Sequence, residues 1–244
     1  MGLKLTEPDV CALGFLAEHR LVLPAHVAAL LDTSLTAATA RLRKLAKARL
    51  LRKECVFGHQ PPYQITRRGL AAIGSSLPTP RGDPRVYEHD VGVAWLWLAA
   101  RAGTFGPLEA VVGERRLRSH DGAREPESEP LGVRLGGTGP WGRERLHYPD
   151  LLLRTADGRR IALELELTPK SRTRLEAILA GYGADPRIAG VVYLVERATI
   201  ARAVETGARR VGVSDLVHVQ RVRSTVSAPA ARTPGVNRAP EAGR

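Results

Sequence analysis

The 244-residue chain is long enough for one large domain or two small ones, and its apolar fraction of 43% is ordinary for a soluble protein. Its charge is not ordinary: a net +12 and a pI near 10.6 point to a polyanionic partner, nucleic acid before anionic membrane. No apolar run approaches a membrane span, no signal pattern opens the chain, and Cys11 and Cys55 make neither a disulfide framework nor a zinc cluster, so a cytoplasmic protein without a membrane partner is expected.

Val10, Leu13, Phe15 and Leu16 recur at helical spacing between Glu7 and Glu18. Pro24 suits the first turn of a second helix, Ala25 to Leu31, because its missing N–H would be unpaired there. Thr33 or Ser34 caps a third helix running to about Ala48. In that helix Leu35, Ala38, Leu42 and Leu45 form an apolar stripe, leaving Thr36, Ala40, Arg43, Lys44 and Lys47 opposite. Small and hydroxylated residues followed by basic ones suit a helix lying in a major groove. Between Arg41 and Lys53 there are seven basic residues and no acidic one, and Arg41 and Lys53 join the candidate DNA-binding set.

A strand over Leu50 to Phe57, a turn at Gly58-His59-Gln60-Pro61-Pro62 and a returning strand over Tyr63 to Thr66 complete the winged helix-turn-helix order. The stretch resembles winged-helix regulators at Leu42-Arg43-Lys44-Leu45 followed by Leu50-Leu51, and at Tyr63-Gln64-Ile65-Thr66 leading to Gly69. Double-stranded DNA is the expected partner of residues 1–76. A winged domain that binds protein is the competing reading.

The Pro- and Gly-rich residues 77–84 read as a linker. A core helix is expected from Tyr87 to Arg101, opened by Glu88-His89-Asp90, with His89–Asp90 read as a structural pair. A strand follows at Glu109 to Gly113. From Ser119 to Arg145 Gly, Pro and charge predominate, and a long surface loop is expected with at most a short strand at Leu131 to Leu135.

The densest chemistry lies between residues 147 and 170. His147-Tyr148-Pro149-Asp150 leads into a strand at Leu151 to Leu153, Asp157-Gly158 signals a hairpin, and a second strand runs from Ile161 to Leu167. A period of two puts Ile161, Leu163, Leu165 and Leu167 on one face and Ala162, Glu164 and Glu166 on the other. Asp150 can approach both glutamates across the hairpin. Three carboxylates at one point call for a cation, and oxygen-only ligands suit Mg²⁺ or Mn²⁺. The bland alternative is an edge strand whose glutamates point at water and pair with Arg160 or Arg172.

Pro149-Asp150, a hairpin, then Glu164-Leu165-Glu166 resembles the PD-(D/E)XK nuclease motif, with Glu166 standing where the motif has its lysine. The helix expected from Ser171 to Tyr182, the strand Gly190 to Val195, the helix Ala198 to Ala208 and the strand Val217 to Val222 match a restriction-endonuclease-like, mixed-sheet α/β domain over residues 85–223. More narrowly, residues 5–195 resemble proteins of the replication-relaxation type from actinobacterial mobile elements, through Glu88-His89-Asp90, Pro149-Asp150, Glu164-Leu165-Glu166, Arg174-Leu175 and Gly181-Tyr182. The resemblance implies a DNA-binding protein acting in replication, transfer or regulation of a plasmid or mobile element, with replication or conjugation proteins as further partners. It also implies a metal-dependent endonuclease centre in which Asp150, Glu164 and Glu166 are catalytic metal ligands. Lys170, the only lysine after Lys53, is the candidate for the missing lysine's role. The competing class is a non-catalytic transcriptional regulator whose second domain forms a homodimer or binds a partner. Residues 224–244 carry no core pattern and are expected to be a disordered tail.

Overall fold

A computed structural model describes residues 3–222 apart from 57, 126, 140 and 141. Three helices come first: α1 (Glu7–Glu18), α2 (Pro24–Leu30) and α3 (Leu35–Lys47). Local chemistry sets their starts. The Asp9 carboxylate accepts from Thr6 N at 3.1 Å and Thr6 Oγ1 at 2.8 Å, and Ser34 Oγ accepts from Ala37 N at 3.2 Å. Caps of this kind are worth about 1 kcal/mol each. Two short antiparallel strands follow, β1 (Leu51–Lys53) and β2 (Tyr63–Ile65), and then a helix that the sequence pattern does not announce, α4 (Arg67–Ala72). Gly69 of α4 is required by space: a Cβ there would stand 2.2 Å from the carbonyl oxygen of Leu50.

These elements close on Leu13, Leu16, Val27, Ala38, Leu42, Leu45 and Ile65. Two expected core residues are outside it, since Val10 is 45% and Leu35 53% exposed. The strand expected to reach Phe57 ends at Lys53, and Phe57 itself lies outside the described residues.

The rest of the chain is a mixed α/β assembly around a five-stranded sheet. Its strands are β3 (Leu108–Gly113), β6 (Leu151–Thr155), β7 (Arg160–Glu166), β8 (Ile188–Val195) and β9 (Val217–Arg221), in that spatial order. β3, β6 and β7 are antiparallel neighbours, while β7, β8 and β9 are parallel. Thus β7 is the central strand. Leu163 and Leu165 face the helix α5 (Tyr87–Arg101). Ala162 faces α7 (Arg172–Ala184) and α8 (Ala198–Arg210). The edge-strand alternative is overturned, because both flanks of β7 are paired and both faces covered.

The stretch expected to be a long loop from Ser119 opens on the end of a helix, α6 (Glu114–Ala123), and holds a hairpin of β4 (Val133–Thr138) and β5 (Glu144–His147), in which β4 overlaps the short strand expected at Leu131 to Leu135. Leu117 and Val133 are buried in the core that includes α7; Leu131, Leu135 and Leu146 pack against that core, and polar contacts hold the turns between. Arg134 pairs with Glu129 and Glu144, and the Asp121 carboxylate accepts from Leu131 N and Gly132 N.

The first core and the sheet share α5. Ala94 belongs to the first core, Trp97 stacks edge-on against Phe15 and His19, and Trp95 against His26. Residues expected to be a linker are anchored as well: Leu77 is buried, and Arg115 donates to the carbonyls of Ala17 and Pro78. No helix among the described residues is long and apolar enough to cross a membrane. The expected tail falls outside the described residues.

Candidate active-site cleft

The site forms where β6 begins and β7 ends. In the antiparallel register Leu151 opposes Leu163, so Asp150, one residue earlier, comes beside Glu164 and Leu165. Its Oδ2 accepts from Leu165 N at 2.8 Å, continuing the ladder with a side chain where the strand backbone has stopped. His89 Nε2 lies 3.2 Å from the same oxygen. The first turn of α5 can come this close because α5 presses on β7 through Gly92, where a Cβ would sit 2.6 Å from Leu165 Cδ2.

Glu164 and Glu166 point to the α7 side, on the face the period of two assigns them, and are only 3% and 4% exposed. Two groups satisfy Glu164 Oε1. His147 Nε2, from the end of β5, is 2.6 Å away, and the Tyr182 hydroxyl of α7 donates to the same atom. Glu166 is bonded by Lys170, which follows the turn out of β7. The sequence-predicted quartet Asp150, Glu164, Glu166 and Lys170 therefore lines one cleft of about 690 Å³, together with His89 and His147. His147, Tyr182 and the Asp150 contact of His89 were not assigned from sequence, although His147 stands three residues before Asp150.

Electrostatics follow from this pairing. Burial disfavours charge on both His89 and Asp150, yet the attraction and hydrogen bond between them prevail. His89 is raised to about 10, with Asp90 adding to the effect, and Asp150 is held below the usual carboxylate range. Burial also keeps Lys170 below the ordinary lysine value against the pull of Glu164 and Asp150, and Arg174 depresses it further. The Tyr182 hydroxyl is pushed well above its ordinary value, first by burial and then by Glu164.

Carboxylate oxygens are the right donor type for a hard divalent cation. Their arrangement here does not form a cage, and among the described residues no three His, Cys, Asp or Glu side chains converge on a common point. Each carboxylate instead has its own hydrogen-bond partner: His89 for Asp150, His147 and Tyr182 for Glu164, and Lys170 for Glu166.

Arg20, from the segment after α1, also lines the cleft. It bonds Glu114 at 2.6 Å and stands 3.6 Å from the buried Asp90. Around the rim are Arg118, stacked on Tyr148, Arg174 at the first turn of α7, and the exposed His59.

On α3 the predicted DNA-binding residues divide into two groups. Thr36, Ala40, Arg43 and Lys47 form one exposed stripe, and Lys53 is exposed on β1. Arg41 and Lys44 instead turn to the fully buried Asp9, at 2.5 and 3.2 Å. Burial opposes ionisation of Asp9, but Thr6, Arg41 and Lys44 outweigh it and lower its pKa to about 2.

No model of a known protein family matches the chain, and no curated protein sequence matches it. The chain is weakly similar to solved structures, among them the following two. A point mutant of ZitR from Lactococcus lactis is 24% identical with a TM-score of 0.27, over 30% of this chain and 51% of that one. PigF with SAH is 14% identical with a TM-score of 0.20, over 88% of this chain and 57% of that one. The chain thus spans a little over half the length of each, and neither likeness is close enough to carry an argument.

Proposed function

We propose that the chain is a DNA-binding protein of a plasmid or other mobile element, acting in replication, transfer or its regulation. In this reading residues 1–76 form a winged helix-turn-helix and residues 85–223 a restriction-endonuclease-like unit whose cleft engages a phosphodiester. One observation carries it: Asp150, Glu164, Glu166 and Lys170 are gathered at one end of a central hairpin and open on a cleft rimmed with arginine. Burying so many ionisable groups is costly, and such costs concentrate at functional sites.

Within the cleft, Lys170 and Arg174 supply positive charge for a phosphate, and Tyr182 and His147 hold the Glu164 carboxylate in place. The chain's +12 charge supports a polyanionic ligand, and the Thr36–Ala40–Arg43–Lys47 stripe is the surface assigned to double-stranded DNA. Mg²⁺ or Mn²⁺ enters this reading only once Lys170 and His89 turn away from the carboxylates, so cation binding is a test of the reading and not one of its premises.

The experiment is incubation of the protein with supercoiled and single-stranded DNA plus Mn²⁺, beside Asp150→Ala, with calorimetry of Mn²⁺ binding. Cleavage lost in the variant is the expected outcome. No cleavage on any substrate and no bound Mn²⁺ would remove the nuclease part. A second reading, a non-catalytic regulator that dimerises or docks on a replication or conjugation protein, is favoured by the private donor each carboxylate already has.

A further inference from the structure

The way into the cleft passes an aromatic ledge. His59, at the tip of the turn between β1 and β2, stacks on Tyr87 at the start of α5, with ring centroids 4.2 Å apart and planes 29° from parallel. The Tyr87 hydroxyl donates to the carbonyl of Gln60 at 2.8 Å, so the turn is fastened to α5 by a hydrogen bond as well as a stack. Tyr87 is buried while His59 is exposed, leaving the imidazole to present its outer face at the cleft mouth.

Capacity decides what can pass. A volume of about 690 Å³ equals a cube about 9 Å on a side, within the range of pockets that enclose one drug-sized ligand. A duplex whose major groove alone is about 12 Å across does not fit in such a space. Glu164 and Glu166, which line this cleft, are 3% and 4% exposed, so a phosphate meets them only from inside it. One extended strand needs far less room. Exposed rim arginines such as Arg174, set beside an aromatic platform, supply the positive charge and stacking that together bind single strands without regard to sequence.

We propose that the nucleic acid reaching this cleft is single-stranded DNA, entering as a free end or flap, with a base stacked on His59 and its backbone drawn toward Lys170 and Arg174. The inference rests on the nucleic-acid part of the function proposed above and specifies the substrate of the same cleft. The wing of the N-terminal unit is then a wall of the site, fixed to α5.

The test uses the full chain in EDTA, so that binding is read without cleavage. A fluorescein-labelled 12-nucleotide single strand and a blunt hairpin duplex are titrated by fluorescence anisotropy against wild type, His59→Ala and Arg174→Glu. A 2-aminopurine strand reports stacking. His59→Ala, an exposed change checked for folding by circular dichroism, is expected to weaken the single strand about tenfold, to relieve 2-aminopurine quenching and to leave the duplex unchanged. Arg174→Glu is expected to weaken the single strand as well. Equal loss for strand and duplex, or unchanged strand affinity in His59→Ala, would overturn the proposal. Strand binding that depends on His59 with no cleavage under Mn²⁺ supports this inference while removing the nuclease reading. Cleavage of intact duplex indifferent to His59→Ala does the reverse.

Discussion

Lys170 bonds Glu166 from four residues further along the chain, across the turn between β7 and α7. Lys170 stands in that turn, two residues before α7 begins at Arg172. The pair is largely buried, so each member needs the other. Removing Lys170 alone strands a carboxylate, whereas removing both charges leaves two neutral groups. Lys170→Met is expected to destabilise the fold by about 1–3 kcal/mol in urea unfolding, a figure reduced from that of a fully buried pair because the lysine keeps some exposure to solvent. Adding Glu166→Gln is expected to recover most of that loss. A double variant no more stable than Lys170→Met would show that the two do not depend on each other.

On α3 the two basic groups separate into distinct roles. Arg43→Glu with Lys47→Glu is expected to lower duplex affinity and to flatten its salt dependence. In gel shifts at several salt concentrations the log–log slope should fall by about one for each phosphate that is no longer neutralised. Asp9→Ala should act through the fold: it removes a capping box and costs about 1–2 kcal/mol. It also frees Arg41 and Lys44, so duplex affinity should hold or rise in the variant. A fall in affinity at full folding would place Asp9 itself in the interface.

The alternation along β7 could be read directly because a strand's period of two is local and an Asp-Gly turn fixes the hairpin. Glu164 and Glu166 followed from that periodicity, Asp150 from its place at the head of the paired strand, and Lys170 from the lysine that the resembled motif lacks here, with its isolation among arginines in support. The groups that satisfy them could not be read in this way. His89 meets Asp150 across 61 residues, and His147 and Tyr182 meet Glu164 across 17 and 18. Periodicity says which face a side chain occupies, not which helix will cover it. Asp9 was missed for the same reason, since its partners Arg41 and Lys44 lie 32 and 35 residues away. The hairpin of β4 and β5 was legible only as a short strand at Leu131 to Leu135, because its apolar alternation is brief and its second strand is joined to the first partly by the Arg134–Glu144 pair.

The seam between the first core and α5 is predicted to be sensitive to acid. His19 and His26 are buried against Trp97 and Trp95, and burial lowers both to about 3. Both folded values lie below the ordinary histidine value of about 6.5, so below that pH the unfolded chain binds more protons than the folded one. Their stabilising contribution is therefore complete above about pH 6.5 and falls away as the pH drops toward 3. Its slope reaches about 2.7 kcal/mol per pH unit when both sites differ by a full proton. His26 gives a structural reason: its Nδ1 accepts from Leu23 N at 3.0 Å at the start of α2, and an imidazolium cannot accept. His26→Gln should flatten the stability profile between pH 6 and 4 in urea unfolding. A slope equal to that of the wild type would exclude His26 as its source.

His89 is predicted to behave in the opposite sense. Its folded value of about 10 lies above the unfolded one, because Asp150, helped by Asp90, outweighs the burial that works against its charge. Its stabilising contribution is thus complete below about pH 6.5 and is lost as the pH rises through 10. For Asp150, whose folded value is lowered, the contribution is present above the ordinary carboxylate range and disappears under acid. Between those limits the two form an ion pair at the head of the site. Histidine ring signals in a proton–nitrogen NMR titration should therefore show His89 as an imidazolium at pH 7 and still at pH 8.5. Asp150→Asn should lower its midpoint toward the neutral range, since burial is then opposed by Asp90 alone. An imidazole that titrates near 6.5 in the wild type would mean that Asp150 does not hold a charged His89, and that its carboxylate is open to another cation.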